Sequence, residues 1–248
     1  MKSIFFIIGA QRSGTTYLYN LLDAHPEISM VKPVRPEPKF FLKDDDYLKG
    51  VDYYIQKYFS EIPSEVKALG EKSTSYLEYA YLAKRIYEFF PQSKILVILR
   101  NPVDRAISNF NFSVQNGLET RTLTEVFLDN RPTPTTSKLT SVSAFAYVER
   151  GKYAKFITPY LIFSNQVQIL ILEELLKFPF LIREVYNFLQ VDGDFTPATL
   201  NDRFNESEDY SESWKDLSSI RAKLSIYYQP HILAVEKIIG RQITLWHD

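Results

Sequence analysis

Short apolar runs rich in β-branched residues recur along the chain at Ile4 to Ile8, Ile95 to Leu99 and Val167 to Leu172, with a weaker one around Ala68 to Gly70. Runs of this length, without polar alternation, suit strands buried on both faces. Between them lie stretches of helical periodicity, Thr15 to Ala24, Tyr79 to Phe90, Val103 to Asn116 and Phe180 to Leu189, each bounded by Pro, Gly or a polar cluster. Strands alternating with helices predict an α/β fold of three layers, with a central parallel sheet flanked by helices. Asn130 to Ser143 is polar, carries two prolines and lacks periodicity, which predicts a surface loop.

Composition narrows the chemistry. The chain has 248 residues, and 29 Lys and Arg against 30 Asp and Glu leave a net charge of −1. A length of this order suits one domain, here 1–248, and a near-neutral surface gives no long-range attraction for a nucleic acid backbone. With no cysteine there is no disulfide or thiolate metal site, and His25, His231 and His247 are too far apart in sequence for a helical ligand pair. The start of the chain reads as a buried strand rather than an export signal, and no run approaches the ~20 apolar residues of a membrane span. The expectation is a soluble, cytoplasmic protein.

The strand Ile4 to Ile8 runs into Gly9-Ala10-Gln11-Arg12-Ser13-Gly14-Thr15-Thr16 and then a helix. Strand, glycine-bearing loop and helix N-terminus in that order form a P-loop-type phosphate cradle, because backbone N–H groups and the helix dipole converge on an anion. Gly9 and Gly14 have the Walker spacing, but Thr15 stands where the Walker lysine belongs, and Arg12 brings a cation inside the loop. A nucleotide hydrolase needs an acidic residue after a hydrophobic strand to hold magnesium, and here Lys94 to Leu99 ends in Arg100. These residues describe a ligand with two separate anionic groups, handled without a metal. A P-loop kinase with a degenerate loop and a non-catalytic nucleotide-binding scaffold are the alternatives.

The loop Gln11 to Thr16 resembles the 5′-phosphosulfate loop of sulfotransferases that use 3′-phosphoadenosine 5′-phosphosulfate (PAPS), and Arg100-Asn-Pro-Val-Asp-Arg-Ala-Ile-Ser108 resembles their 3′-phosphate motif. Pro36 to Phe41, Lys49 to Tyr54, Gly70 to Ser73 and Glu149 to Tyr153 are similar to segments of the heparan-sulfate (N-/3-O-) branch, and Ile239 to Trp246 to its last helix and closing strand. The resemblance implies PAPS as co-substrate, adenosine 3′,5′-bisphosphate as product and no metal. It assigns Gln11, Arg12, Ser13, Gly14, Thr15 and Thr16 to the 5′-phosphosulfate, and Arg100 and Ser108 to the 3′-phosphate.

It also implies Glu37 as the catalytic carboxylate; Arg12, a charge inside the loop, suits the leaving oxygen, and Lys72, following the strand around Ala68 to Gly70, is expected to emerge at the same sheet edge as the loop and meet the transferring sulfo group. The acceptor would be a hydroxyl or amine of a glycan or small metabolite, met by the loops Val34 to Asp46 and Asn130 to Ser143. One departure stands out: Asn205 to Tyr210 is acidic where the family carries a basic lid, which leaves open Arg203 or Lys215 as substitutes or a nucleotide held more loosely. His25 reads as a capping or packing residue, and Asp44 to Asp46 as a solvated turn.

Overall fold

The computed structural model describes residues 2–134, 143–198, 200 and 216–247. In chain order the strands and helices are β1 (Ser3–Gly9), α1 (Thr15–Asp23), β2 (Ile28–Met30), α2 (Asp44–Tyr47), α3 (Gly50–Phe59), β3 (Ala68–Lys72), α4 (Tyr81–Phe89), β4 (Lys94–Leu99), α5 (Pro102–Gln115), α6 (Leu123–Phe127), α7 (Tyr153–Ile157), β5 (Val167–Ile171), α8 (Leu172–Lys177), α9 (Ile182–Leu189) and α10 (Leu217–Ile239). Two compact units divide the chain, Met1–Leu99 with Lys155–Phe204, and Arg100–Ala154 with Asn205–Asp248.

The first unit holds a five-stranded sheet in the order β2-β3-β1-β4-β5, and every pairing is parallel. The apolar run of β1 is buried on both faces because β1 sits at the centre, paired with β3 and β4. Alternate residues point to opposite faces. Phe5 and Ile7 join a core with Leu18 and Leu22 of α1 and with Val185 and Leu189 of α9. On the other face Phe6 meets Phe41, Tyr54 of α3 and Phe90 in an edge-on and tilted aromatic cluster. A helical layer therefore covers each side of the sheet, as the alternation predicts.

The second unit is helical. Ile220, Leu224, Tyr228, Ile232 and Val235 form the buried stripe of α10, which packs on α5 and α6. Gly240 ends this helix in the left-handed conformation, and the Gly240 and Arg241 N–H groups both donate to the Glu236 carbonyl.

Two readings change. Ile239 to Trp246 closes with a 3₁₀ turn at Thr244–Trp246, not a strand. Asp44 to Asp46 begins the short helix α2; Asp44 takes Arg85 at 2.6 Å and Asp46 takes Lys49 at 2.9 Å, so these acids are paired as well as solvated. The loop predicted at Asn130 to Ser143 has no regular structure at 130–134 or at 143, and its remainder lies outside the described residues. Among the described residues no helix is long and apolar enough to cross a membrane.

Candidate active site

β1 delivers the chain to the loop at the carboxyl edge of the sheet, flanked on both sides by the ends of its neighbours. The register with β4 shifts between Ile7 and Gly9, and the Ala10 N–H donates to the Ile98 carbonyl at 2.8 Å, so the chain leaves the ladder tied to β4. Close approach requires the first loop glycine and a left-handed backbone the second. A Cβ on Gly9 would stand 2.8 Å from the Leu77 Cβ, and one on Gly14 would stand 2.5 Å from a Leu172 methyl, while Gly14 also has a φ of 82°. Arg12 shares that left-handed region at 65°.

Gly14 occupies the N-cap of α1 and offers no side chain, and no acid stands in the first turn. The helix N-terminus is therefore left to another anion. Ser13 is fully buried, and its Oγ has no hydrogen-bond partner among the described residues. An orphaned buried hydroxyl beside an uncapped helix end fits a loop made to close around an anionic group. Gln11, Arg12 and Thr16 are partly exposed and Thr15 is buried.

Lys72, last residue of β3, pairs in register with Ile7, two positions before Gly9. Its ammonium lies 2.7 Å from the Glu37 carboxylate, and only 3% of its side chain is exposed, against 13% for Glu37. Thr74 completes the grip. Its N–H donates to Glu37 Oε2 at 3.0 Å and its hydroxyl stands 3.0 Å from both carboxylate oxygens. The Thr74 carbonyl lies 3.3 Å from where a Gly9 Cβ would be, so one residue touches both the loop and the carboxylate's anchor. The structure thus brings Glu37 and Lys72 together, 35 residues apart in sequence.

In the second unit, the Glu149 to Tyr153 segment holds the Arg100 backbone and Asn109, the residue after Ser108. The Tyr153 hydroxyl donates to the Arg100 carbonyl at 2.7 Å, and Arg150 donates to Asn109 at 2.6 Å. Asn101 caps α5 by accepting the Val103 N–H at 3.0 Å, with Pro102 at the first helical position. Arg105 is wholly buried and donates to the Tyr147 carbonyl, which fixes α5 one turn before the buried Ser108. Arg203, Lys215 and the acidic run Asn205 to Tyr210 lie outside the described residues.

His25 stays in the core. Its Nδ1 accepts the Glu27 N–H at 3.1 Å, which leaves Nε2 to donate to the Asp192 carbonyl at 2.9 Å. The ring is edge-on to Tyr186 and Phe195. It is a packing residue, as expected.

The sulfotransferase domain family matches residues 2–214. This chain belongs to that family. A crystal structure of a sulfotransferase from Alicyclobacillus acidocaldarius superposes with a TM-score of 0.78 at 27% identity, covering 100% of both chains. The bifunctional heparan sulfate N-deacetylase/N-sulfotransferase 1 of Homo sapiens is 39% identical over 106 residues, 41% of this chain and 12% of that protein. The membrane-associated sulfotransferase kil1 of Dictyostelium discoideum is 30% identical over 113 residues, 45% of this chain and 23% of that protein. Less than a quarter of each of these two curated relatives is therefore aligned.

Sequence reasoning missed Thr74 as the anchor of Glu37, and gave no role to Glu71 and Ser73, although both lie in the Gly70 to Ser73 motif. The available signal was the hydroxyl run Ser73-Thr74-Ser75 directly after a strand, beside a phosphate-type loop. Hydroxyls at a strand's carboxyl end are suited to fix an anion or a carboxylate there.

Proposed function

We propose that this chain transfers a sulfuryl group from PAPS to a hydroxyl or amine of a glycan or small-metabolite acceptor, acting as one sulfotransferase domain over 1–248. The observation that carries the reading is the Lys72–Glu37 pair, anchored by Thr74 beside a loop with an orphaned serine and an uncapped helix end. A pure binding module has no use for a fixed carboxylate next to an anion cradle. PAPS, when bound, supplies an activated sulfur and a phosphate leaving group.

The residues then divide the work. Gln11 to Thr16 hold the 5′-phosphosulfate through backbone N–H groups and the α1 N-terminus. Arg12 neutralises charge that grows on the leaving oxygen; an arginine stays charged, so it stabilises that oxygen without protonating it. Glu37 accepts the acceptor's proton as the acceptor atom bonds to sulfur and the sulfur–oxygen bond to the 5′-phosphate breaks. Lys72 holds Glu37 before the reaction and turns to the sulfo group as charge builds. Arg100 and Ser108 take the 3′-phosphate, which the family motif Arg100 to Ser108 supports.

The test is a screen of hydroxyl- and amine-bearing glycans and metabolites with labelled PAPS, read by mass for an added sulfo group, alongside calorimetry. Binding of adenosine 3′,5′-bisphosphate without magnesium, with transfer to an acceptor, is the expected outcome. Tight ATP binding that requires magnesium, with no bisphosphate binding, overturns it in favour of a kinase. Bisphosphate binding without transfer to any acceptor returns the chain to a scaffold.

A further inference from the structure

Glu71 is a carboxylic acid in the middle of the apolar sheet, wholly buried, in register with Phe6 of β1. The proposed mechanism does not use it. Such a group is costly to bury unless its oxygens are hydrogen-bonded, and here three hydroxyls meet it. Ser73 Oγ and the Tyr76 hydroxyl each lie 2.6 Å from Oε1, and the Tyr54 hydroxyl lies 2.7 Å from Oε2.

Two of those hydroxyls have a second neighbour that settles their direction. The Lys39 N–H donates to Ser73 Oγ at 2.9 Å, and the Phe41 N–H donates to the Tyr76 hydroxyl at 3.1 Å. A backbone N–H can only donate, so each hydroxyl accepts there and sends its single proton to Glu71. Both protons arrive at the same oxygen. Oε1 is therefore an obligatory double acceptor, and any proton on Glu71 sits on Oε2, where Tyr54 can accept it. Burial raises the Glu71 carboxyl above its usual range, in keeping with a site that works in either protonation state.

Lys39 and Phe41 follow Glu37 by two and four residues. Their N–H groups hang from the hydroxyls of Ser73 and Tyr76, while the Glu37 head is gripped by Lys72 and Thr74. Along one stretch of chain, residues 71 and 73 fix the backbone of the Glu37 segment and residues 72 and 74 fix its carboxylate. We propose that Glu71 is a positioning residue, whose Oε1 sets the Ser73 and Tyr76 hydroxyls as acceptors for the Lys39 and Phe41 amides and so holds Glu37 in place for proton transfer. The effect on turnover rests on the sulfotransferase reading; the effect on the two amides does not.

The test separates an acceptor oxygen from a charge and from mere bulk. Glu71→Gln keeps a carbonyl oxygen for both hydroxyls and turns its amide nitrogen to Tyr54, whereas Glu71→Leu keeps bulk and offers no acceptor. Backbone amide exchange at Lys39 and Phe41 is measured in both, in Ser73→Ala and in Tyr76→Phe, together with calorimetric binding of adenosine 3′,5′-bisphosphate. In Glu71→Gln both amides should exchange within about threefold of wild type, a change smaller than the loss of one hydrogen bond. Exchange should rise about tenfold at Lys39 in Ser73→Ala, at Phe41 in Tyr76→Phe and at both in Glu71→Leu, the effect of losing one neutral hydrogen bond.

Bisphosphate affinity should hold throughout. With labelled PAPS and the fastest acceptor from the screen, kcat should fall in the two single hydroxyl variants with the KM for PAPS unchanged, and recover in Glu71→Gln. Glu71→Gln as damaging as Glu71→Leu, or Lys39 still protected in Ser73→Ala, overturns the proposal. Should Glu71→Leu fail to fold, the two hydroxyl variants and Glu71→Gln decide it. If wild type transfers nothing from PAPS, the function fails while the amide exchange still judges the role of Glu71.

Discussion

Lys72 donates to Glu37 across 2.7 Å from a far drier position than its partner occupies. The two halves of the pair should therefore be unequal on removal. Glu37→Ala strands a buried ammonium and should cost about 3 to 5 kcal/mol, the range for an uncompensated buried charge. Lys72→Met leaves Glu37 with its Thr74 hydrogen bonds and some access to water, and should cost clearly less. Urea unfolding of both variants checks this; equal losses would mean that the pair is solvated and carries no such asymmetry.

Glu37→Gln keeps the size of the side chain and one acceptor oxygen, for Lys72 or for the Thr74 N–H but not for both, and removes the base. Turnover should fall by about 10²- to 10⁴-fold, the usual contribution of general base catalysis, with bisphosphate affinity almost unchanged. Near-normal turnover in this variant would leave the base unidentified.

Arg12→Ala should lower kcat more than it weakens PAPS binding, because the charge it meets grows as the sulfur–oxygen bond breaks. Arg12→Lys should keep much of the activity. Weak binding with normal turnover at saturation would make Arg12 a ground-state anchor instead.

Arg100→Ala should weaken adenosine 3′,5′-bisphosphate by about 1.5 to 3 kcal/mol, the range for a hydrogen bond to a charged group. Adenosine 5′-phosphosulfate lacks the 3′-phosphate and should lose nothing. Equal losses for the two nucleotides, measured by calorimetry, would remove Arg100 from the 3′-phosphate.

Burial raises the Glu71 carboxyl in the folded protein, with the hydrogen bonds from Ser73, Tyr76 and Tyr54 opposing it. Folding then favours the protonated form, so its contribution is greatest below the ordinary carboxyl range and is lost as pH rises through the raised value. Glu71→Gln does not titrate. The unfolding free energy of the variant minus that of wild type should increase as pH rises from about 4, the ordinary carboxyl range. A difference flat with pH would show that the folded and unfolded chains hold this proton equally.

Much of the scaffold was readable because strand and cradle announce themselves. The β1 run, its two glycines and the following helix leave few alternatives, β4 stands out as the unbroken run Ile95 to Leu99, and β5 is apolar but for Gln168. β2 escaped notice at three residues, too few for any periodicity. In α3 the run of aromatics conceals the helix, for only Tyr54 and Phe59 are fully buried. α10 carries Pro230 in its interior, which reads as a break although the buried stripe continues on both sides of it.

The site was legible as separate residues and illegible as a constellation. Resemblance picks out Glu37 and a strand end picks out Lys72, but only the β1–β3 register, with Lys72 opposite Ile7, shows β3 to be the direct neighbour of the strand that carries the loop. Hydroxyls such as Ser73, Thr74 and Tyr76 leave no trace in a hydrophobic pattern. Their importance comes from which backbone N–H groups reach them, and that is decided by folding over distance.

The methyl of Leu172 that fills the space beside Gly14 bears on the order of events during synthesis. The cradle is encoded by residues 9–16. Yet β1 cannot take up its two neighbours until residue 99 has left the ribosome, and the wall against Gly14 must wait for residue 172. The cradle is translated well before it can be finished, and a nascent chain halted before β5 would carry the loop's sequence without its shape.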